Sequence, residues 1–176
     1  LPKGISSKDI LYGKGKNDEC YTPRSTVVPI LPYIPKDAIV WCPFDTIDSE
    51  FVKCISKNNQ VVYSHISEGQ DFFNYEPPVW DVIVSNPPFT SKKAFFERAL
   101  QLGKPFALLM SIVWLNDSTP KKIFRSYNKD LQLFMFDERT HFFNIEGKDM
   151  GRPTFSSAYF CCDFLPKGII LGEFED

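Results

Sequence analysis

With 176 residues, 43% of them hydrophobic and 24% charged, the chain reads as one globular domain able to bury roughly two-thirds of its unfolded surface around a single core. Its net charge of −2 excludes bulk attraction to a polyanion, so nucleic-acid binding needs local basic patches or a partner. The five cysteines, at 20, 42, 54, 161 and 162, include no Cys-x-x-Cys pair, which argues against a disulfide framework or a zinc site and suits free thiols in the cytoplasm; the longest apolar run, Pro105–Leu115, is too short to cross a bilayer.

The chain opens on Leu1 rather than Met, which leaves room for a preceding segment. Residues 1–18 are rich in Lys, Gly, Ser and Asp, show no hydrophobic period, and read as a mobile arm ahead of a single domain over 19–176. Thr22 before Pro23 marks a helix start, with Pro in the first helical position, and Pro29 cuts that helix short. Ala38-Ile39-Val40-Trp41-Cys42 is an apolar run closed by Pro43 and predicts the first, central strand. Pro43-Phe44-Asp45 is its exit loop. Asp45 and Ser49 are candidate caps for a helix with Phe51, Val52 and Ile55 on its apolar stripe, ending near Asn58-Asn59. A ligand belongs at the carboxyl ends of such strands, where loops converge and the strand order reverses.

Gln60–His65 predicts a second short strand, followed by the turn segment Gly69-Gln70-Asp71-Phe72-Phe73. The stretch that organises the chain comes next: Asp81-Val82-Ile83-Val84-Ser85-Asn86-Pro87-Pro88-Phe89. An apolar, β-branched run ending in a polar residue and two prolines is a buried strand that stops abruptly. Pro87 and Pro88 have no N–H to give a sheet, so the carbonyls and the Asn86 amide are presented in a stiff loop. Phe89 adds a flat apolar face, and a planar group carrying an amino substituent suits that combination.

Beyond it, Thr90-Ser91 caps a helix carrying Ala94, Phe95, Phe96, Ala99 and Leu100 and ending at Gly103. Lys92 and Lys93 fall in its first turn, against the helix dipole; a substrate phosphate would relieve them, and solvated lysines are the competing reading. Pro105–Trp114 predicts a nearly continuous apolar, central strand, and Asn116–Pro120 opens another helix with Lys121, Lys122 and Arg125 exposed. Leu131–Phe136 and Thr154–Phe164 predict two strands of a hairpin, linked by a loop that contains Arg139, Phe142 and Phe143.

Asn86-Pro87-Pro88-Phe89 at a strand end resembles the catalytic motif of the S-adenosylmethionine-dependent N6-adenine methyltransferases, phage and mobile-element members above all, and the resemblance spans about residues 19–165. The alternation of strands and helices up to Arg125 and the strand-rich end predict a three-layer α/β domain with a mostly parallel sheet and an antiparallel C-terminal hairpin. The resemblance implies that this is a Rossmann-like methyltransferase fold with Trp80–Val84 as the fourth strand. It also implies S-adenosyl-L-methionine as cofactor, with Tyr21, Thr22 and Pro23 at the methionine end. Pro43, Phe44 and Asp45 would hold it after the first strand, Ser64 and His65 after the second, and Asp71 with Phe72 at the adenine. Asn86 and Pro87 would accept the target amine's hydrogens, Pro88 would stiffen the turn, and Phe89 would hold the ring. Lys92 and Lys93 would meet phosphate, while Arg139, Phe142 and Phe143 would pack near the flipped base.

Two positions depart from the family pattern. Trp41–Asp48 contains no glycine where a Gly-rich loop is usual, although the phage and mobile-element members resemble this chain in Trp-Cys-Pro-Phe-Asp; and His65 stands where an acidic residue usually binds the ribose. No ligand set accompanies His65, so a metal site is not expected. DNA is the first-choice substrate. An RNA base, a protein glutamine amide and an accessory subunit without turnover stay open. With no length left for a recognition domain, target choice falls to loops, the arm or another subunit.

Overall fold

The computed structural model describes residues 21–142 and 155–173; the expected arm and Phe143 lie outside them. Four strands, β1 (Ile39–Cys42), β2 (Gln60–Tyr63), β3 (Val82–Ser85) and β4 (Phe106–Ser111), form the parallel half of the sheet. Every residue of β3 and β4 is buried, and successive side chains leave on opposite faces. Val40, Cys42, Val82, Val84, Ala107 and Leu109 therefore build one core, and Trp41, Ile83, Phe106, Leu108 and Met110 the other. A sheet that is apolar on both faces requires cover on both. The first face is covered by α1 (Arg24–Val27), the following 3-10 turn over Val28–Tyr33, and α2 (Glu50–Ile55); the second by α3 (Lys92–Leu102) and α4 (Thr119–Ser126).

The rest of the sheet comes from β5 (Gln132–Phe136), β6 (Ser157–Cys162) and β7 (Ile169–Gly172). The order is β2-β1-β3-β4-β6-β5-β7, with β6 antiparallel to both its neighbours and β7 parallel to β5. The expected three layers and antiparallel hairpin are present, with β6 inserted between β4 and β5. After β1 the chain steps outward to β2, then returns to the far side of β1 to lay down β3. The strand order thus reverses between β1 and β3, which opens a crevice at their carboxyl ends.

Several local expectations change, each for a physical reason. The strand expected over Pro105–Trp114 stops at Ser111, whose Oγ accepts from the Val113 N–H at 3.4 Å and turns the chain into a 3-10 turn over Ile112–Asn116. Pro23 precedes α1 rather than starting it, and Pro29 and Pro32, with no N–H, narrow the continuation to 3-10. Ser49 alone caps α2, accepting from Val52 N–H at 3.2 Å. That helix ends at Ile55, and the Asn59 amide donates to Pro35 O and Ala38 O, at 3.1 and 3.0 Å, in place of a further turn. Ser91 begins α3 from a left-handed backbone, φ 57°, with no side-chain cap bond. Residues 64–81 hold a 3-10 turn at Ile66–Glu68 and no strand, so β3 is the third strand in chain order, not the fourth, and β2 is an edge.

β7 is a strand that the sequence pattern does not announce. One side chain anchors the crossover leading to it: Gln132 Oε1 accepts from Phe164 N–H and Leu165 N–H, both at 2.9 Å, and its Nε2 donates to Leu165 O at 2.7 Å. At the strand's end the Phe134 ring lies directly over Gly172, where a Cβ would run into ring atoms Cζ and Cε1. Gly172→Ala is therefore predicted to cost about 1–3 kcal/mol through overpacking. A urea midpoint equal to wild type would show that the ring moves aside freely.

Candidate active site

A cavity of about 610 Å³ opens in the crevice, within the range of small-molecule sites. Its walls are the loop after β1, the segment 65–73 after β2, the Asn86–Phe89 loop after β3, and residues 21–24 from above. Positions that are distant in sequence meet here because every one follows a parallel strand at the same edge, or precedes the helix that covers it.

The Asn86 side-chain Nδ2 donates to Thr22 Oγ1 at 3.0 Å. A planar amide whose nitrogen arm is held in this way has its carbonyl arm directed away from that partner. Thr22 is itself buried, so the segment ahead of α1 orients the group at the end of β3. Pro87 and Pro88 line the cavity. Phe89 lines it too, buried on its other side against the edges of Phe142 (5.9 Å, 87°) and Phe155 (6.3 Å, 71°). Phe142 is buried and lies behind Phe89, off the cavity wall.

Asp45 is the buried carboxyl group of the site. Burial pushes it up to about 6 from an ordinary value of 3.8, with hydrogen bonds from Ser85 and Ser49 and the nearby His65 pulling the other way. Ser85 Oγ–H donates to Asp45 Oδ2, and the Asp45 N–H to Ser64 O at 3.2 Å, so the glycine-free loop is tied to both β2 and β3. Ser64 does not face the cavity: it is fully buried, and its Oγ accepts from the Trp41 indole N–H at 2.9 Å.

Past β2, His65 lines the cavity while its Nδ1 accepts from Ser67 N–H at 3.2 Å. Asp71 also lines it and caps its own turn, accepting from Phe73 N–H at 3.1 Å. Phe72 is buried between Phe44, Trp41 and Phe95, at ring distances of 5.0, 5.4 and 6.2 Å. Tyr21, Pro23, Pro43 and Phe44 complete the expected lining.

Lys92, Lys93 and Arg139 are not on the cavity wall, and Lys93 pairs with Glu97 at 3.6 Å. Sequence reasoning missed wall residues of consequence, Asp48 in the loop after β1 among them. Gln70, whose N–H donates to His65 O at 3.3 Å, closes the loop beside the cavity. Phe73 and Phe95 stack at 5.0 Å with 21° between their planes and extend the aromatic wall. Phe95 reads in sequence as one more apolar position on a helix, and nothing there separates a cavity wall from core.

Among the described residues, no cluster of His, Cys, Asp and Glu could hold a metal ion, and no helix is long and apolar enough to cross a membrane. Cys42, Cys54, Cys161 and Cys162 are free and buried.

No protein-family description matches the chain, and no curated protein matches its sequence. Its architecture is similar to the crystal structure of a Listeria monocytogenes protein described as a candidate class I S-adenosylmethionine-dependent methyltransferase, with a TM-score of 0.52 at 12% identity over 98% of this chain and 74% of that one. The layered α/β architecture and the seven-stranded, mostly parallel sheet with its inserted antiparallel strand match the class I, Rossmann-like methyltransferase fold.

Proposed function

We propose that the protein transfers a methyl group from S-adenosyl-L-methionine to the exocyclic N6 amino group of adenine in a nucleic acid, DNA before RNA. The observation that carries this reading is the Asn86 amide, held by Thr22 at 3.0 Å beside two prolines on the wall of a cavity at the strand-order reversal.

The residues present fit the cofactor. Phe44, Phe72, Phe73 and Phe95 supply flat apolar walls for an adenine ring, and Asp45 and Asp48 supply negative charge for a ligand bearing an ammonium and a sulfonium, Glu50 being paired with Lys53. Tyr21, Thr22 and Pro23 would meet the cofactor's methionine end, and His65, Asp71 and Phe72 its nucleoside end, all from the wall of the one cavity. Ser64 acts from behind, through Trp41 and the Asp45 N–H. When bound, the cofactor supplies a methyl group already activated by its positive sulfur.

The protein's own part is to raise the reactivity of a weak nucleophile. An aromatic amine has its lone pair delocalised into the ring. Acceptors at the Asn86 side-chain oxygen and the Pro87 carbonyl favour a tetrahedral nitrogen and stabilise the positive charge that develops on it. Pro88 keeps that pair of acceptors rigid, and Phe89, braced by Phe142 and Phe155, gives the ring a fixed surface.

The test is in two stages. Titration calorimetry with S-adenosyl-L-methionine should give one site per chain, and labelled cofactor should then methylate adenine in a DNA pool. Saturable binding without transfer to DNA, RNA or protein would make the chain an accessory subunit; no binding at all would remove the cofactor assignment.

A further inference from the structure

Every charged residue on the outward face of α4 is cationic. Lys121, Lys122 and Arg125 are exposed, and among the described residues none has a carboxylate within ion-pair distance, whereas Lys53, Lys93, Arg98 and Lys129 are matched by Glu50, Glu97, Glu76 and Asp163. No acidic residue occurs from Ser118 through Asn128. In a chain of net charge −2, this is a local reversal of sign, and such a patch raises the local concentration of an anionic partner.

Its place in the fold matters as much as its charge. β4 is parallel to β3, so the turn after β4 delivers the start of α4 to the same sheet edge as the Asn86 loop. α3, which begins just beyond Phe89, packs against α4. β3 and β4 are neighbours in the sheet, one strand spacing of about 5 Å apart, so the start of α4 lies beside the mouth through which a base would enter. The apolar residues of α4, Ile123 and Phe124, are buried in the core, so this face offers a membrane nothing to insert.

We propose that Lys121, Lys122 and Arg125 contact backbone phosphates of a nucleic-acid substrate whose target base occupies the cavity. This rests on the reading of the cavity as a base-methylating site, and the experiment separates the two. Labelled DNA and RNA of about 20 nucleotides are titrated by fluorescence anisotropy between about 50 and 200 mM salt. The proteins are wild type, the triple variant Lys121→Gln/Lys122→Gln/Arg125→Gln, and a control Lys36→Gln/Lys57→Gln, whose lysines are exposed on other segments.

The slope of log affinity against log salt should flatten by about 2–3 in the triple variant, at roughly 0.7–0.9 per phosphate contact. It should be unchanged in the control and restored by Lys121→Arg/Lys122→Arg/Arg125→Lys, with S-adenosyl-L-methionine binding the same throughout. A triple variant with the wild-type slope overturns the proposal. So does displacement of the nucleic acid by polyglutamate at equal charge, or a wild-type protein that binds no nucleic acid. The first two results leave the cavity reading standing; the third removes the nucleic-acid substrate as well and leaves only S-adenosyl-L-methionine binding, which the calorimetry reads separately. A protein that binds nucleic acid through α4 but does not bind the cofactor upholds the phosphate contacts and removes the cavity reading instead.

Discussion

Asn86→Ala should lower methyl transfer by about 10²–10³-fold, the usual loss when one preorganised group facing developing charge is removed, while calorimetric affinity for S-adenosyl-L-methionine stays close to wild type. The asymmetry follows from where Asn86 sits. In the proposed mechanism its carbonyl acts on the amine that is gaining positive charge and not on the cofactor, and its amide nitrogen is engaged by Thr22 Oγ1 at 3.0 Å. Thr22 supplies the second arm of the test. Thr22→Val removes the acceptor but keeps the shape, freeing the amide to rotate; about tenfold in kcat with an unchanged KM for the nucleic acid is expected, well short of Asn86→Ala. Thr22→Ser keeps the hydroxyl and should restore most of the rate. Near-normal turnover in Asn86→Ala would show that another group receives the amine hydrogens, and Thr22→Ser as slow as Thr22→Val would remove the orienting bond from the account.

Asp45→Asn should change both stability and cofactor affinity, in opposite directions. The native carboxyl titrates at about 6, above an ordinary 3.8, because burial disfavours its charge. Its folded-state value is raised, so the stability it contributes is complete below pH about 4 and is lost as pH rises through about 6, a difference of about 3 kcal/mol. A chain carrying Asn there escapes that penalty, and its melting temperature at pH 7 should exceed that of wild type if Ser85 keeps its bond. Affinity for the cationic cofactor runs the other way. It depends on the ionised carboxylate and should rise close to tenfold per unit between pH 4.5 and 5.5 before levelling above about 6, a dependence that Asp45→Asn abolishes. A wild-type affinity that is flat across that window would show that Asp45 does not face the positive end of the ligand.

The motif Asn86–Phe89 and the strands β1, β3 and β4 are legible in the sequence because their signals are local: β-branched apolar runs stopped by proline or a polar turn, in strands that are buried almost throughout. Asp45 is legible as a polar residue in the right loop but reads as a helix cap, since only the approach of β3 supplies the Ser85 hydroxyl that occupies it. The short strand β7 is invisible because its stability comes from Gln132 and from the Phe134 ring, both distant in sequence.

By itself, then, the sequence determined the three-layer class, the central strands and a rigid acceptor-rich turn at the end of one of them, because periodicity and proline chemistry act over a few residues. Only the tertiary structure decided that Thr22 holds Asn86, that Asp45 is buried among hydroxyls, and that Phe73 and Phe95 become a wall. Each of these depends on segments that are far apart in the chain and are brought together by the reversal of strand order between β1 and β3.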